Sequence, residues 1–146
     1  MATYARQAVA RSSAGFTVSG TSVSLTSVVN FPAVVTGSAT ATHFAVGKAS
    51  SGTGEILFSG PVAPVILIAA GITPQLGTGT TITETGANNS SGNNLWKLLF
   101  NNTTWAGIGD ATGLVGSTVV GSLYLSLHTG DPTATGNQTS SEVSYT

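Results

Sequence analysis

Three side chains near the end of the sequence could take part in hydrolytic chemistry. Ser126, His128 and Asp131 provide a hydroxyl nucleophile, a base and an acid that could orient the base, which are the parts of a hydrolase triad. Triads are recognised by their geometry in three dimensions, however, and Asp131 precedes Pro132 in a turn sequence where an aspartate commonly bonds to the backbone. No nucleophile-elbow pattern surrounds the serine. We therefore favour a structural role for these residues and predict no catalytic residue.

Metal and cofactor sites have little support in the sequence. His43 and His128 could share a metal only if their strands are neighbours, and two histidines without a nearby carboxylate make a poor site. Cysteine is absent, which excludes disulfides and thiolate ligands. The glycine-rich segment 107–113 lacks the glycine spacing and the basic residue of a phosphate-binding loop. We expect neither a metal nor a cofactor.

Large amphipathic side chains are the best candidates for contacts with a partner, because aromatic residues commonly anchor interfaces. Tyr124 is the first choice, since it is expected on the polar face of its strand. Trp96 lies in a helical segment and is expected in the core. The predicted contact residues are Tyr124, His128, Tyr4 and Trp105.

The chain is unusually poor in charge. Its 146 residues include four basic and five acidic side chains, so 6% are charged, against about 25% in an average soluble protein. A surface of small, neutral side chains suits packing against other subunits at high local concentration. The net charge of −1 gives no attraction to nucleic acid or to anionic membranes, and we expect neither as a partner. No signal-peptide pattern is visible, and the longest apolar stretch, 62–72, is too short to span a bilayer.

Short runs of strand-forming residues separated by turn residues predict an all-β fold. The clearest strand is Ser122–His128, in which three leucines alternate with Tyr124, Ser126 and His128. We expect the leucine face to be buried and the other face to be solvated, as in an antiparallel sheet. The predicted strands are 4–10, 16–18, 22–25, 28–31, 40–46, 55–59, 65–69, 80–84, 122–128 and 142–145.

One segment has helical character. Residues 94–100 are strong helix formers that begin with an asparagine available as an N-cap, and Asn101 or Asn102 can end the helix. We expect this helix to cover an open end of the sheets. The preceding residues 86–93 are small and polar, which predicts a flexible linker. Residues 1–146 are predicted to form a single antiparallel β-sandwich or jelly-roll-like domain with one short helix.

Several segments together resemble a known family. Residues 122–132 read SLYLSLHTGDP, which resembles the SLHTADP signature of small bacteriophage virion proteins described as tail-fibre or minor-capsid proteins. Further pieces of that family's pattern are EVSYT at 142–146, YARQAV at 4–9, FPA at 31–33 and THFAVG at 42–47.

The order of these pieces is circularly permuted. In the family, the NLWKLLF-like helix and the SLHTADP segment come first, and the YARVAV piece follows the NEVS piece. Here YARQAV opens the chain and EVSYT closes it. The resemblance implies that residue 146 was once joined to the strand at residues 3–4, and that residues 86–93 now bridge the family's own ends.

The resemblance implies a virion component, and two functions follow from it. The first is a non-enzymatic bacteriophage structural protein that decorates or cements the capsid exterior. Such a protein would be made in the bacterial cytoplasm, and it would pack as a homo-oligomer in contact with other virion proteins (major capsid or tail subunits). The second is a tail-fibre or receptor-binding module whose loops at 20–21, 50–54 and 133–140 contact a host-surface glycan. The absence of heptads and shaft repeats favours the first. A third possibility, a cell-wall hydrolase, depends on His128 and Asp131 alone.

Overall fold

The structure, a computed structural model, describes residues 3–146. It is an antiparallel all-β fold with one short helix, which confirms the predicted fold class. Nine strands and the helix follow in the order β1 (Gln7–Ala10), β2 (Phe16–Ser19), β3 (Ser22–Leu25), β4 (Val29–Asn30), β5 (Ser38–Gly47), β6 (Ile56–Ala69), β7 (Gln75–Leu76), β8 (Thr81–Thr83), α1 (Asn89–Asn101) and β9 (Ser122–His128).

The chain divides into two compact units, and each is described by itself. The first contains residues 3–8, 28–76 and 123–146, and the second contains residues 9–27 and 77–122. The expectation of a single sandwich domain over 1–146 stays a prediction.

The principal sheet has the strand order β1-β9-β5-β6. In the first unit β5 lies at the centre and pairs antiparallel with both β6 and β9. Phe44, Val46, Leu125, Leu127 and Ile68 are almost completely buried on these strands. The alternating apolar residues of the sequence therefore place the core of this unit on its longest strands.

Strand β6 differs from the prediction because it is continuous. Residues 55–59 and 65–69 were expected to be separate strands, but Ile56–Ala69 form one strand through Pro61 and Pro64. Two features accommodate the prolines, which cannot donate a backbone hydrogen bond. β6 is at the edge of its sheet, and its register with β5 shifts between the pairs Ala41–Ile66 and His43–Pro61. Edge strands and bulges are the positions in a sheet where proline is tolerated.

The expectation that β9 has a solvated polar face is wrong. The three leucines are buried as predicted, but Ser126 and His128 are also fully buried, at 0% exposure. The C-terminal segment lies over them: Thr129 N–H donates to Ser141 O at 2.8 Å, and Val143 N–H donates to Leu127 O at 2.9 Å. The predicted strand 142–145 is reduced to an isolated bridge between His128 and Glu142.

Short elements account for the remaining differences in the strands. β1 begins at Gln7, three residues after the predicted start at Tyr4. The two-residue strands β4 and β7 pair with each other, and β7 was not predicted. So brief a strand has too few residues for an alternating pattern to be visible in the sequence.

The second unit contains a three-stranded sheet with the helix packed on it. The strands predicted at 16–18 and 22–25 are confirmed, and they form a hairpin: β2 pairs with β3 around Gly20, whose φ of 56° a glycine adopts readily. β8 pairs with the other side of β3. Phe16 and Phe100 meet edge to face at 4.9 Å, and Trp96 meets Phe100 at 5.6 Å. Trp96 is therefore a core residue, as expected.

Helix α1 begins five residues earlier than predicted. Asn88 is the N-cap, and its side chain accepts the Ser91 N–H at 2.9 Å. Residues 89–93 are thus helical, although the sequence predicted a flexible linker over 86–93. Gly92, a poor helix former, faces Thr21 so closely that a Cβ would lie 2.7 Å from the Thr21 Cγ2. This packing is a tertiary effect that local propensity does not contain.

The end of α1 agrees with the sequence. Asn102 caps it in the left-handed conformation with φ of 53°. The Arg11 guanidinium donates to the carbonyls of Leu99 at 2.6 Å and Leu98 at 2.8 Å. A cation at the C-terminus of a helix is favourable because unpaired carbonyls concentrate negative potential there.

Candidate functional site

Ser126 and His128 have the geometry of a nucleophile and its base. The Ser126 Oγ lies 2.8 Å from the His128 Nε2, and the Nδ1 lies 2.7 Å from the carbonyl oxygen of Ser140. A carbonyl can only accept, so Nδ1 carries the proton and Nε2 accepts the hydrogen bond of the serine hydroxyl. Because both side chains are fully buried, no substrate can reach the hydroxyl in this conformation.

The environment of His128 favours its neutral form. Burial is the main factor that lowers the pKa of His128, and Arg6 and His43 lower it further, while the Ser140 carbonyl and Glu142 act in the opposite direction. Removing an imidazolium from water costs more than removing a neutral ring. The pair is therefore a neutral hydrogen-bonded link between β9 and the C-terminal segment.

Asp131 does not join this pair. Its Oδ1 accepts the Thr133 N–H at 2.8 Å, which is the side-chain-to-backbone turn expected from the sequence. The position that the acid of a triad would occupy, at the His128 Nδ1, is taken by the Ser140 carbonyl. The three residues therefore do not form a catalytic triad in this arrangement.

The two histidines are neighbours, as a shared metal site would require. His43 and His128 are directly opposite each other in the register of β5 and β9. Both ring nitrogens of His128 already have partners, however, and the His43 Nδ1 lies 2.9 Å from the Thr42 Oγ1. Among residues 3–146, no group of three or more His, Cys, Asp or Glu side chains could hold a metal ion.

A buried ion pair joins the two ends of the first unit. Arg6 donates to both carboxylate oxygens of Glu142, at 2.7 and 2.8 Å, and also to the carbonyls of Ala49 at 3.1 Å and Gly52 at 2.8 Å. The side chains of Arg6 and Glu142 are only 3% and 16% exposed. The hydrogen bond with Glu142 is the main reason that the pKa of Arg6 is raised. This bidentate pair fixes the turn at residues 49–52 to both terminal segments.

Tyr4 packs beside this ion pair instead of being free for a partner. Its ring stacks on Phe31 at 6.0 Å and meets Tyr145 edge to face at 5.5 Å. Its hydroxyl oxygen accepts the Leu127 N–H at 2.9 Å. Burial is the main reason that the pKa of Tyr4 is raised. Part of the ring remains exposed, so a contact at Tyr4 stays a prediction.

The other predicted contact residues have different surroundings. His128 is wrong as a contact residue, because its side chain is fully buried under the C-terminal segment. Tyr124 is half-buried beside Gly47 in the sheet. Trp105 is half-buried in the second unit, where its backbone forms a bridge with Leu114. Tyr124 and Trp105 therefore stay predicted contact residues.

Gln138 fills a slot beside the β5–β6 hairpin. Its Oε1 accepts the Ala49 N–H at 2.9 Å, while its backbone N–H donates to Gly54 O at 2.8 Å. A Cβ on Gly47 or on Gly54 would overlap this side chain. The Gln138 side chain is fully buried, and its Nε2 has no hydrogen-bond partner among residues 3–146. Both glycines are therefore required by the close approach of Gln138.

An open groove lies between the start of β6 and the loop that follows Asp131. It has a volume of about 340 Å³, within the range of roughly 300–1,000 Å³ that is typical of small-ligand sites. We call it the Asp131 groove. Its lining residues are Ile56, Leu57, Phe58, Ser59, Asp131, Thr133, Ala134 and Gly136. Part of this wall belongs to the segment 133–140, which the sequence indicated as a contact loop.

Sequence reasoning did not identify Arg6, Glu142 and Gln138 as a group. They are distant in sequence, and no spacing pattern connects them. One general signal was available: only nine residues of the chain are charged, which favours a structural role for some of them.

Comparisons with protein-family models, with curated proteins and with solved structures give no match. No helix within residues 3–146 is long and apolar enough to cross a membrane.

Proposed function

We propose that this chain is a non-enzymatic structural protein of a bacteriophage virion, and that it decorates or cements the capsid exterior by packing against copies of itself and other virion proteins. The sequence resemblance supports the virion, and one structural observation supports the packing. That observation is the open edge of strand β6, where residues 65–69 are uncharged and residues 66–69 pair with β5.

The β6 edge, which we define as residues 65–69, is suited to association with another strand. Val65 and Leu67 are 54% and 59% exposed, and no charged residue occurs anywhere in Ile56–Ala69. Natural proteins usually protect such an edge with charges or cover it, because unpaired backbone groups recruit other strands. The prolines of β6 lie before this segment and leave 65–69 able to pair.

We propose a second copy of this chain as the occupant of the β6 edge. Two antiparallel strands related by a two-fold axis can pair through the same residues, so a neutral edge is complementary to itself. Association through Val65 and Leu67 would gain its energy from apolar burial and backbone hydrogen bonds. The sparse charge of the whole chain adds little repulsion between copies.

The burial of Ser126 and His128 supports the non-enzymatic part of the proposal. These residues and Asp131 are the hydrolase candidates of the sequence, and the pair serves as a link within the core. Substituting Ser126 by alanine should then change stability and leave binding to virions unchanged.

Light scattering on the purified protein tests self-association. We expect an oligomer that is insensitive to salt, since its contacts are apolar, and we expect Leu67→Lys to dissociate it. Val119→Lys is the matched control, because Val119 is 75% exposed in the second unit. A wild-type monomer at all concentrations, or equal effects of both variants, would contradict association through β6.

Immunogold labelling of phage particles purified from an infection in which the chain is expressed tests the location. Label on the capsid surface is the expected result. Label confined to the tail would support the tail-fibre or receptor-binding alternative, and the absence of label from particles would refute both virion functions.

A further inference from the structure

The Asp131 groove has the chemistry of a binding site for an uncharged polar ligand. No Lys, Arg or His lines it, and its charged group is the Asp131 carboxylate. An anionic ligand would therefore be repelled with nothing to neutralise it. Phosphates, nucleotides and carboxylates are excluded on this ground, which leaves neutral polar molecules and cations.

Groups that bond hydroxyls converge on this groove. Asp131 is exposed, and only one of its carboxylate oxygens is used in the turn with Thr133, so the carboxylate retains capacity to accept further hydrogen bonds. Ser59 and Thr133 are also lining residues, and a hydroxyl can both donate and accept hydrogen bonds. The β6 wall also lies at the edge of its sheet, where backbone groups without a partner strand are available.

The lining of the groove is mostly polar, but it also includes apolar residues. Ile56, Leu57 and Phe58 contribute to it, and each is half-buried in the first unit. A sugar ring combines an apolar C–H face with hydroxyls at its rim. A small set of placed polar groups beside apolar and aromatic residues is the usual composition of small-molecule sites.

Thr133 is held in an unusual conformation beside the groove. Its φ is 62°, a left-handed value that is rare for a β-branched residue. The Asp131 side chain fixes it through the Thr133 N–H. Strained residues of this kind cluster at functional sites, and here the strain sets the position of a hydroxyl-bearing residue on the groove wall.

We propose that the Asp131 groove binds a single neutral sugar unit, with the Asp131 carboxylate accepting hydrogen bonds from sugar hydroxyls. This activity goes beyond the proposed structural role. It uses residues 56–59 and 131–136, whereas self-association uses residues 65–69, so one can fail while the other stands.

Amide chemical shifts of the isotope-labelled protein test the proposal with four probes: methyl glucoside, methyl galactoside, N-acetylglucosamine and, as a small cation, choline. At least one sugar is expected to shift amides of residues 56–59 and 131–136 at millimolar concentrations, while choline does not. Shifts with choline alone, shifts elsewhere on the chain, or no shift with any of the three sugars would overturn the proposal.

Substitutions then assign the contacts. Asp131→Asn keeps an acceptor for the Thr133 N–H but removes the charge, and sugar binding should weaken at least about tenfold, as for loss of a hydrogen bond to a charged group. The control is Asp110→Asn, because Asp110 forms the same type of turn with Thr112 and Gly113 in the second unit. Equal affinity in Asp131→Asn and Asp110→Asn would refute the assigned role of Asp131.

Discussion

Arg6 and Glu142 are 136 residues apart in the sequence, yet they form a two-pronged ion pair with distances of 2.7 and 2.8 Å. The pair is almost fully buried, and within residues 3–146 the other hydrogen bonds of Arg6 go to backbone carbonyls. This ion pair therefore joins the terminal segments of the first unit, in addition to the Tyr4 N–H bond to Tyr145 O.

Glu142→Gln should destabilise the protein by about 3–5 kcal/mol, because it leaves the Arg6 guanidinium buried without its counter-charge. Urea unfolding measures the change. Glu55→Gln is the matched control, since Glu55 pairs with Lys48 at the surface, with side chains 62% and 57% exposed, and such pairs contribute about 0–1 kcal/mol. If Glu142→Gln and Glu55→Gln reduced the free energy of unfolding by similar amounts, the buried pair would have no special role.

His128 should make stability depend on pH. Its pKa is lowered in the folded state by burial, so the folded protein resists a proton that the unfolded chain accepts near pH 6.5. The contribution of the neutral His128 side chain to the free energy of unfolding is therefore complete above pH 6.5. It declines as the pH falls towards the lower pKa of the folded state, with a slope of at most about 1.4 kcal/mol per pH unit.

This dependence can be checked by measuring the urea midpoints of the wild type and of His128→Asn between pH 5 and 8, which is about the range in which histidine titrates. The variant should be less stable overall and should lose the slope. An unchanged slope would show that another group is responsible for it.

Gly47→Ala should be destabilising by about 1–3 kcal/mol, as is usual for overpacking of a filled core. The added methyl group would overlap the buried Gln138 side chain. The penalty should shrink in a Gln138→Ala background, because the two sites are in contact and their effects are not additive. Gly77→Ala is the control, since a Cβ there meets no atom within 4 Å. Calorimetric melting of the four variants gives the comparison.

Thr133→Gly should stabilise the fold by roughly 1 kcal/mol, because glycine adopts a positive φ without the cost that a side chain incurs. The same change removes a hydroxyl-bearing residue from the Asp131 groove. The variant should therefore bind sugar more weakly than the wild type, although its melting temperature is higher. Gly52→Thr provides the reverse control, since Gly52 has φ of 72° and open space around its Cβ position. Loss of stability in Thr133→Gly would contradict the strain at Thr133.

The two ends of the chain, which lie in the first unit, should tolerate being joined to each other. Tyr4 N–H donates to Tyr145 O at 3.0 Å, which is the pattern of a four-residue β-turn if residue 146 is joined directly to residue 3. A chain joined in this way and opened between Gly86 and Ala87, before α1, should fold with the same circular dichroism spectrum. Failure to fold would count against the circular permutation that the resemblance implies.

The sequence predicts features that depend on neighbours along the chain. The three leucines of β9, the turn at Gly20 and the cap at Asn102 all follow from local spacing and backbone preference. The burial of Ser126 and His128 does not, because it is caused by a segment that begins at Ser140 and folds back over them.

Other features that depend on contacts between distant residues could not be predicted from the sequence either. Pro61 and Pro64 remain in one strand because β6 is an edge, and strand order is not a local property. Residues 89–93 are helical, and Gly92 among them packs against Thr21, a contact that no local pattern contains. The Asp131 groove combines β6 with a loop more than seventy positions later, so only its loop half was visible as a candidate contact segment.

The division of the chain into two units separates its intrinsic chromophores. Trp96 and Trp105 both lie in the second unit, whereas the three tyrosines, Tyr4, Tyr124 and Tyr145, all lie in the first. Tryptophan emission and tyrosine absorbance should therefore report the melting of different parts of one molecule without any added label. Coincident transitions would indicate one cooperative body, and separated transitions would indicate two.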